Sequence, residues 1–576
     1  MRLLKFLFGF PVLVFAQQDT NDVVLRAMKD EMARSRALRL VDAPPYFVEY
    51  TLDDADLYLA GASLGALIRE RRSRLRAPRI RVRAGEPKLD NSNHIFSDVY
   101  RGARYDATEF PLDDHYDALR LAFWLATDRA YKQALEALAR KKASLKNISE
   151  SDRLPDFSPA SVVSLILPVP KRSFDETKWR DRLRDISAVY RAYPDIFFSE
   201  VTLGISNTTS YLVNNEGTEV RMPDFLTTFR IRVSTMAPDG MPIRDYAEFL
   251  TTDVDQLPSE SQLKKAAQET GDQVSARRAA PYPENYSGPV LFEGVAGPQL
   301  LAETLGRHFS PPRRPVSDPE RPINFLPGEL EGRLGSRILP EWMDVLDDPT
   351  QKTWRGTTLL GHYPVDIEGV PPKPVVLIEK GVLKSFLSTR QPLPGQEGSN
   401  GHARLPGPLG NNLAVAGNLF FRSSQVTAVS DLRKKLLDLC QQRGKAYAYV
   451  VRKMDFPSTA SADELRRISS GLSGRPVSIP LRLYRLYPDG REEMVRGLRF
   501  RAFTTRALRD ILAVSDELYL FQYLESGAPF AHMDVSGYVA GVSVVAPALL
   551  FDELELERIP GELPKPPVVS PPPLIP

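Results

Sequence analysis

Apolar residues recur at helical spacing in several stretches of the chain and alternate with polar ones in others. Residues 20 to 40 carry the helical period with many charges, and residues 113 to 143, DDHYDALRLAFWLATDRAYKQALEALARKKA, give the longest helix. Its apolar stripe is Leu119, Leu121, Phe123, Leu125, Ala130, Leu135 and Leu138; acidic residues open it and basic ones close it, as the helix dipole prefers. Further helices are predicted over 176 to 200, ending at Tyr193-Pro194, and over 258 to 279. Between them lie strand patterns: PYFVEYTLDD, ADLYLAGASLGALI, and two long runs joined by turn chemistry at Asn214-Asn215-Glu216-Gly217 and Asp239-Gly240. PYPENYSGP marks the main domain boundary. After it come the strands PVVLIEKGVLKSFLS, a hairpin turning at Asp489-Gly490, and SVVAPALLFDELELER. No repeat at solenoid spacing is evident. The class is α+β, an N-terminal α/β region with long helices followed by a C-terminal β-rich domain.

The ends of the chain read differently. MRLLKFLFGFPVLVFAQQDT has Arg2 and Lys5, an apolar run from Phe6 to Phe15 and a small residue at Ala16, the pattern of a cleaved secretory signal. That run is roughly half the twenty apolar residues a bilayer span needs, and no other stretch is long and apolar enough. Export to a periplasmic or extracellular space is expected, without a membrane span after cleavage. The tail from Pro560, GELPKPPVVSPPPLIP, has too little apolar content to pack. The expected division is 1–16 signal, 17–110 N-terminal region, 111–283 middle helix and sheet region, 284–559 C-terminal domain and 560–576 disordered tail.

Charge removes some classes of function. The 75 basic and 73 acidic side chains leave a formal charge of +2, so no global field favours nucleic acid. The basic run RERRSRLRAPRIRVR alternates in its second half, Arg79, Ile80, Arg81, Val82, Arg83, and reads as a half-buried strand with a solvated arginine face. The single cysteine, Cys440, permits no intramolecular disulfide; Leu432, Leu436, Leu439 and Cys440 share one helical face, so a buried core thiol is expected. No nucleophile elbow, Walker loop or dinucleotide fingerprint occurs.

Four segments together resemble the C-terminal domain of the TldD/PmbA family, proteins once called modulators of DNA gyrase and now grouped as metallopeptidases. They are GPVLFEGVAGPQLLAETLG (288–306), GSRILPEWMDVLDDPT (335–350), GHYPVDIEGVPPKPVVLIEKGVLKSFLSTR (361–390) and SNGHAR (399–404). SVVAPALLFDELELER is similar to the family's closing strands and LVNNEGTEVRM to a turn of its middle domain. The resemblance implies subunits that pair around a chamber in which unfolded peptides are cleaved. One subunit carries zinc through an H-E-x-x-x-H helix and a late cysteine, and its partner usually lacks that motif.

Carried over residue by residue, the first histidine position holds Ala302, the glutamate position holds Glu303 and the second histidine position holds Arg307. A methyl group donates no lone pair and a guanidinium repels a cation. The stretch where the late cysteine should lie, ESGAPFAHMDVSGYVAGVSVV, contains none. His308 and His532 are the substitutes on offer, but on an ideal helix His308 projects about 140° away from Glu303. Glu303 four residues ahead of Arg307 is the favourable order for an ion pair. Asp347-Asp348-Pro349 reads as a turn, Asp366, Glu368 and Gly369 as the lead into a strand, and His362 and His402 as solvent-exposed loop histidines.

The reading closest to these residues is an exported subunit without zinc, nearer to the family member lacking the motif. It would bind unfolded peptide and pair, as a hetero- or homodimer, with a TldD/PmbA-like homologue; Glu303 would be its one catalytic candidate, vestigial or active, and no cofactor is expected. The alternatives are an active metallopeptidase holding zinc through Glu303, His308 and His532, and a stand-alone envelope peptide-binding protein anchored by its proline-rich tail.

Overall fold

The computed structural model describes residues 22–38, 44–95, 110–146, 154–317, 328–407, 409–457, 478–501, 503–526 and 538–559, with three isolated tail positions. The signal-like segment, His532 and almost all of the tail therefore lie outside the described residues. No helix among those described is long and apolar enough to cross a membrane.

The N-terminal half is built on a seven-stranded sheet. Its order is Leu89–Asp90, Ala66–Glu86, Pro45–Ser63, Phe198–Asn214, Glu219–Met236 and Ser164–Ile166, with Pro242–Thr251 pairing Glu219–Met236. PYFVEYTLDD and ADLYLAGASLG are one continuous strand that turns back at Leu64-Gly65. The sheet takes strands from both sides of residue 110, so the first two expected regions form one unit.

Alternation along these strands explains the layering. Val48, Tyr50, Leu52 and, further on, Tyr58, Ala60, Ala62 point to one face, which four helices cover. Helix α1 (Val23–Ser35), capped by the Asp22 carboxylate on Leu25 N at 2.9 Å, and α2 (Tyr116–Leu145) pack on the first group. Helix α3 (Glu176–Ser187) and α4 (Glu260–Ala279), which starts in a Ser259/Gln262 capping box, pack on the second. The helix expected over 176–200 stops early: a short 3₁₀ turn over Ala188–Ala192 follows α3, and a strand begins at Phe198. On α2 the buried stripe runs Leu119, Phe123, Thr127, Tyr131, Ala134, Leu138, and Leu121 lies outside it, exposed.

The C-terminal half is an eleven-stranded mixed sheet. At its centre lies the strand Val539–Arg558, flanked by Asn418–Ser423 in parallel and Tyr286–Phe292 antiparallel. Met343–Asp347 and Val375–Glu379 extend it on one side, Ala448–Met454 and the hairpin of Pro480–Leu486 and Glu492–Val495 on the other. Helix α5 (Ala296–Leu301) packs on one face and α6 (Val429–Gln442) on the other. Cys440 is fully buried on α6 beside Leu432 and Leu436, as a core thiol.

The two halves meet through the second face of the N-terminal sheet, and this corrects the expected solvated arginine face. Ile80, Val82 and Ala84 point to the helices, whereas Arg79, Arg81 and Arg83 reach the C-terminal half. Arg83 is buried, pairs with Asp90 at 2.6 Å and donates to Asn411 Oδ1 at 3.1 Å. Arg81 lies between Glu49 and Glu368, and Arg79 donates to Asn412 Oδ1 at 3.3 Å. A second domain takes the place of solvent over these charges, and carboxylates and amides from both halves replace water.

Candidate functional site

The stretch that carries the family resemblance is held firmly against the C-terminal sheet. The Tyr286–Phe292 strand ends at Glu293, whose carboxylate takes Arg433 at 2.6 Å and Arg452 at 2.8 Å, and Gly294 turns the chain at φ 60° into α5. A Cβ on Gly297 would sit 2.3 Å from the Pro547 carbonyl oxygen, so the helix rests directly on the backbone of the central strand. Gln299, buried, accepts from Met454 N at 2.8 Å and donates to the Tyr246 hydroxyl at 3.0 Å, tying the helix to both halves.

Past Leu301 the helix widens into a π-helical turn over Ala302–Gly306. A π turn closes on the fifth residue rather than the fourth, and such turns favour functional sites. The widened turn brings the 302 and 307 positions toward one face, where an ideal α-helix would separate them by about 140°. The geometry that a five-residue ligand spacing needs is thus present, with Ala302 and Arg307 occupying it.

Neither residue is a metal donor. Ala302 is a buried methyl packed in the main core. Arg307 pairs with Glu525, Nη2 to Oε1 at 2.6 Å and Nε to Oε2 at 3.1 Å, rather than with Glu303 as its sequence order suggested. The Glu303 carboxylate instead accepts from Ser478 N at 3.0 Å and Ser478 Oγ at 2.8 Å. Withdrawal from water pushes it up to about 7, against the opposing pull of those hydrogen bonds and of Arg307. His308 turns to the other side: its Nδ1 accepts from Glu329 N at 3.3 Å and its Nε2 lies 4.0 Å from Glu329 Oε1. Cys440 belongs to a different core cluster. Among the described residues no three His, Cys, Asp or Glu side chains come together as a metal-holding group. The described residues do not fit the zinc that the fold family implies.

A second polar group lies beside this helix. Gly306 sits against the Tyr523 hydroxyl, and Tyr523 feels the charges of Glu525, Arg307, Arg404 and Asp347. Asp347, at the end of the Met343–Asp347 strand, is fully buried, and burial pushes its carboxyl up to about 7 although Gly417 N donates to Oδ2 at 2.8 Å. His402 corrects the expectation of an exposed loop histidine. It is fully buried, 3.6 Å from Asp347, and burial pushes it down to about 3. Its Nδ1 faces two acceptors of Asn400, the carbonyl at 3.1 Å and Oδ1 at 2.9 Å, so Nδ1 carries the proton and Nε2 keeps a lone pair. Nε2, Asp347 Oδ1 and Asn418 Oδ1 are buried without a hydrogen-bond partner among the described residues.

The SNGHAR turn is built to place these groups. Gly401 has φ 79°, and a Cβ there would lie 2.5 Å from the Pro371 oxygen, so glycine is required. Asp366, buried, accepts from the Glu368, Val370 and Ala403 amides at 2.9, 2.9 and 3.0 Å, fixing both turns together; burial holds its own carboxyl well above the usual range. These bonds support the reading of Asp366 and Glu368 as positioning groups. His362 is half-buried, its Nδ1 2.8 Å from the Pro349 oxygen. The turn leads to Arg404, which stacks over the Tyr363 ring at 4.6 Å. Across the junction, on the second face of the N-terminal sheet, lie Asp53 and the exposed Asp224, whose charges face Arg404.

Residues 287–438 match the family model described as the PmbA/TldA metallopeptidase C-terminal domain. A protein named metalloprotease from Archaeoglobus fulgidus is 38% identical over 78 residues, covering 14% of this chain and 17% of that protein. Another of that name from Methanothermobacter thermautotrophicus is 28% identical over 203 residues, covering 32% and 39%. The chain therefore aligns with well under half the length of either relative. Residues 287–438 thus form a PmbA/TldA-type metallopeptidase C-terminal domain. The TldD/PmbA fold extends over nearly the whole molecule. A Thermotoga maritima protein described as a modulator of a DNA gyrase superposes with TM-score 0.56 at 13% identity, covering 92% of this chain and 99% of that one. TldE from Thermococcus kodakarensis gives 0.53 at 13% identity, covering 92% and 99%.

The sequence signal missed the Asp347, His402, Arg404 group and the Ser478 partner of Glu303. Loop position suggested exposure for His402, and Ser478 follows a stretch with no legible period. Only the clustering of Asp347 and His402 within the motif segments hinted that they share a site.

Proposed function

We propose that this metallopeptidase-like chain is a subunit without zinc, exported, that binds unfolded peptide at the junction of its two sheets and pairs with a TldD/PmbA-like catalytic homologue. The observation that supports this reading most is the fate of the widened helix turn. The scaffold that would aim ligands is kept, yet its two positions hold a packed methyl and an arginine already committed to Glu525. Selection for zinc would not leave a permanent cation there. Glu303, desolvated and hydrogen-bonded to Ser478, then serves as a polar wall of the chamber rather than as a general base.

The test is to purify the full chain, measure its metal content by mass spectrometry and incubate it with an unfolded peptide, alone and with a family member carrying an intact H-E-x-x-x-H helix. The expected outcome is less than about a tenth of a zinc per chain, no cleavage alone, and a stable complex with the homologue. Stoichiometric zinc together with cleavage by the chain alone would overturn it.

A further inference from the structure

We propose that Arg404 anchors the C-terminal carboxylate of a bound peptide; this rests on the peptide-chamber reading and adds to it the end of the ligand that is recognised.

Arginines drawn into this protein are paired almost everywhere. Arg83 has Asp90, Arg390 has Glu216, Arg76 has Asp54 and Arg307 has Glu525, each within 2.7 Å. Arg404 differs. Its guanidinium is withdrawn from bulk water, which pulls its pKa down, yet among the described residues it forms no ion pair. Nη1 donates to the Ala416 oxygen at 2.6 Å and the Tyr363 ring covers one flat face. Nε and Nη2, the side-on pair of donors, have no partner among the described residues. Those two donors are open to the junction, free to meet a ligand with matching acceptors. The residue remains partly exposed, so its free edge opens onto the junction rather than into packed core.

The shape of that edge selects the ligand. Two parallel N–H groups match the two oxygens of a carboxylate, and the stacked tyrosine fixes the plane in which they meet. The nearby acids do not supply the partner: Asp347 is turned to Gly417 and His402, and Asp224 stands across the junction on the other sheet. In a peptide-binding cleft the carboxylate that every chain carries is its C-terminus.

The experiment compares binding of N-acetylated hexapeptides to the purified full chain by calorimetry. One peptide has a free C-terminus, one is amidated, and one is amidated with an internal glutamate. The expected result is that amidation weakens binding about tenfold or more, as loss of a charge-assisted pair should, and that the internal glutamate does not restore it. In Arg404→Met the free acid and the amide should bind alike, at the level of the amide with the unaltered chain; Arg404→Lys should recover part of the difference. Equal affinity of acid and amide for the unaltered chain overturns the proposal even if both variants misfold. Restoration by the internal glutamate overturns the assignment to the terminus. If no peptide binds at all, the peptide-chamber reading itself fails.

Discussion

Asp347 and His402 show how single residues at this site are set by burial rather than by partners. The histidine ring is held neutral by burial with its proton on Nδ1, and the Asp347 carboxyl, buried with it, lies 3.6 Å from Nε2. Because Asp347 is pushed up from 3.8 to about 7 on folding, the folded state holds a proton that the unfolded chain releases. Its contribution is therefore present at low pH and lost as pH rises through about 7. His402, pushed down from 6.5 to about 3, has the opposite sign: the folded state refuses a proton between those values, so its contribution grows as pH rises from 3 to 6.5. Asp347→Asn keeps the neutral form at every pH. Relative to the unaltered chain, this variant should gain stability between pH 5 and pH 8, on the order of 1 kcal/mol or more per pKa unit removed. Urea midpoints at the two pH values measure it; a constant difference would mean that Asp347 is ionised throughout.

The α5 helix and its π-helical turn illustrate what a sequence shows of an element and what it hides. The order of motifs and the mismatch of a five-residue spacing with an ideal α-helix were legible, because they follow from local backbone rules. The side-chain partners were not. The i, i+4 rule paired Glu303 with Arg307, but it assumes an α-helical turn and no competing groups. The turn is π-helical, and Glu525 and Ser478, both remote in sequence, take the two side chains instead. The position of the whole element depends on Gly297 lying on the central strand. Since a Cβ there meets backbone atoms of Pro547 and Ala548, the helix must lift. Gly297→Ala is expected to cost about 1 to 3 kcal/mol, the range for overpacking. The same shift should loosen the Glu303–Ser478 contact, so tryptic cleavage near residue 478 should quicken in the variant; an unchanged digestion pattern would show that helix position and that contact are independent.

At the scale of the molecule, the sequence revealed two units but not their embrace. Alternation in the Arg79 to Arg83 run told correctly which residues turn to the helices, and nothing local could tell that the other face meets a second sheet. Water and a partner domain impose the same pattern on a strand, provided the domain offers carboxylates, and here Glu368 and its neighbours do. Arg390 is the tightest of these ties. Its side chain is 1% exposed, lies over Phe157 at 4.0 Å and Phe47 at 5.0 Å, forms a two-pronged pair with Glu216 at 2.7 and 2.8 Å, and donates to the Ser158 oxygen at 2.9 Å. All these partners belong to the N-terminal half, whereas Arg390 follows the strands of the C-terminal one. Each half has its own large core, so loss of the tie should separate them before it unfolds either. Glu216 is a third exposed and can regain water, which limits the cost of Arg390→Met to about 2 kcal/mol, below the usual figure for breaking a sealed pair. Calorimetry should then resolve a single unfolding peak into two, the earlier one broadened, while a variant melting in one unshifted transition would place the coupling elsewhere, in Asp245 with Lys453 and Arg482 at the far end of the junction.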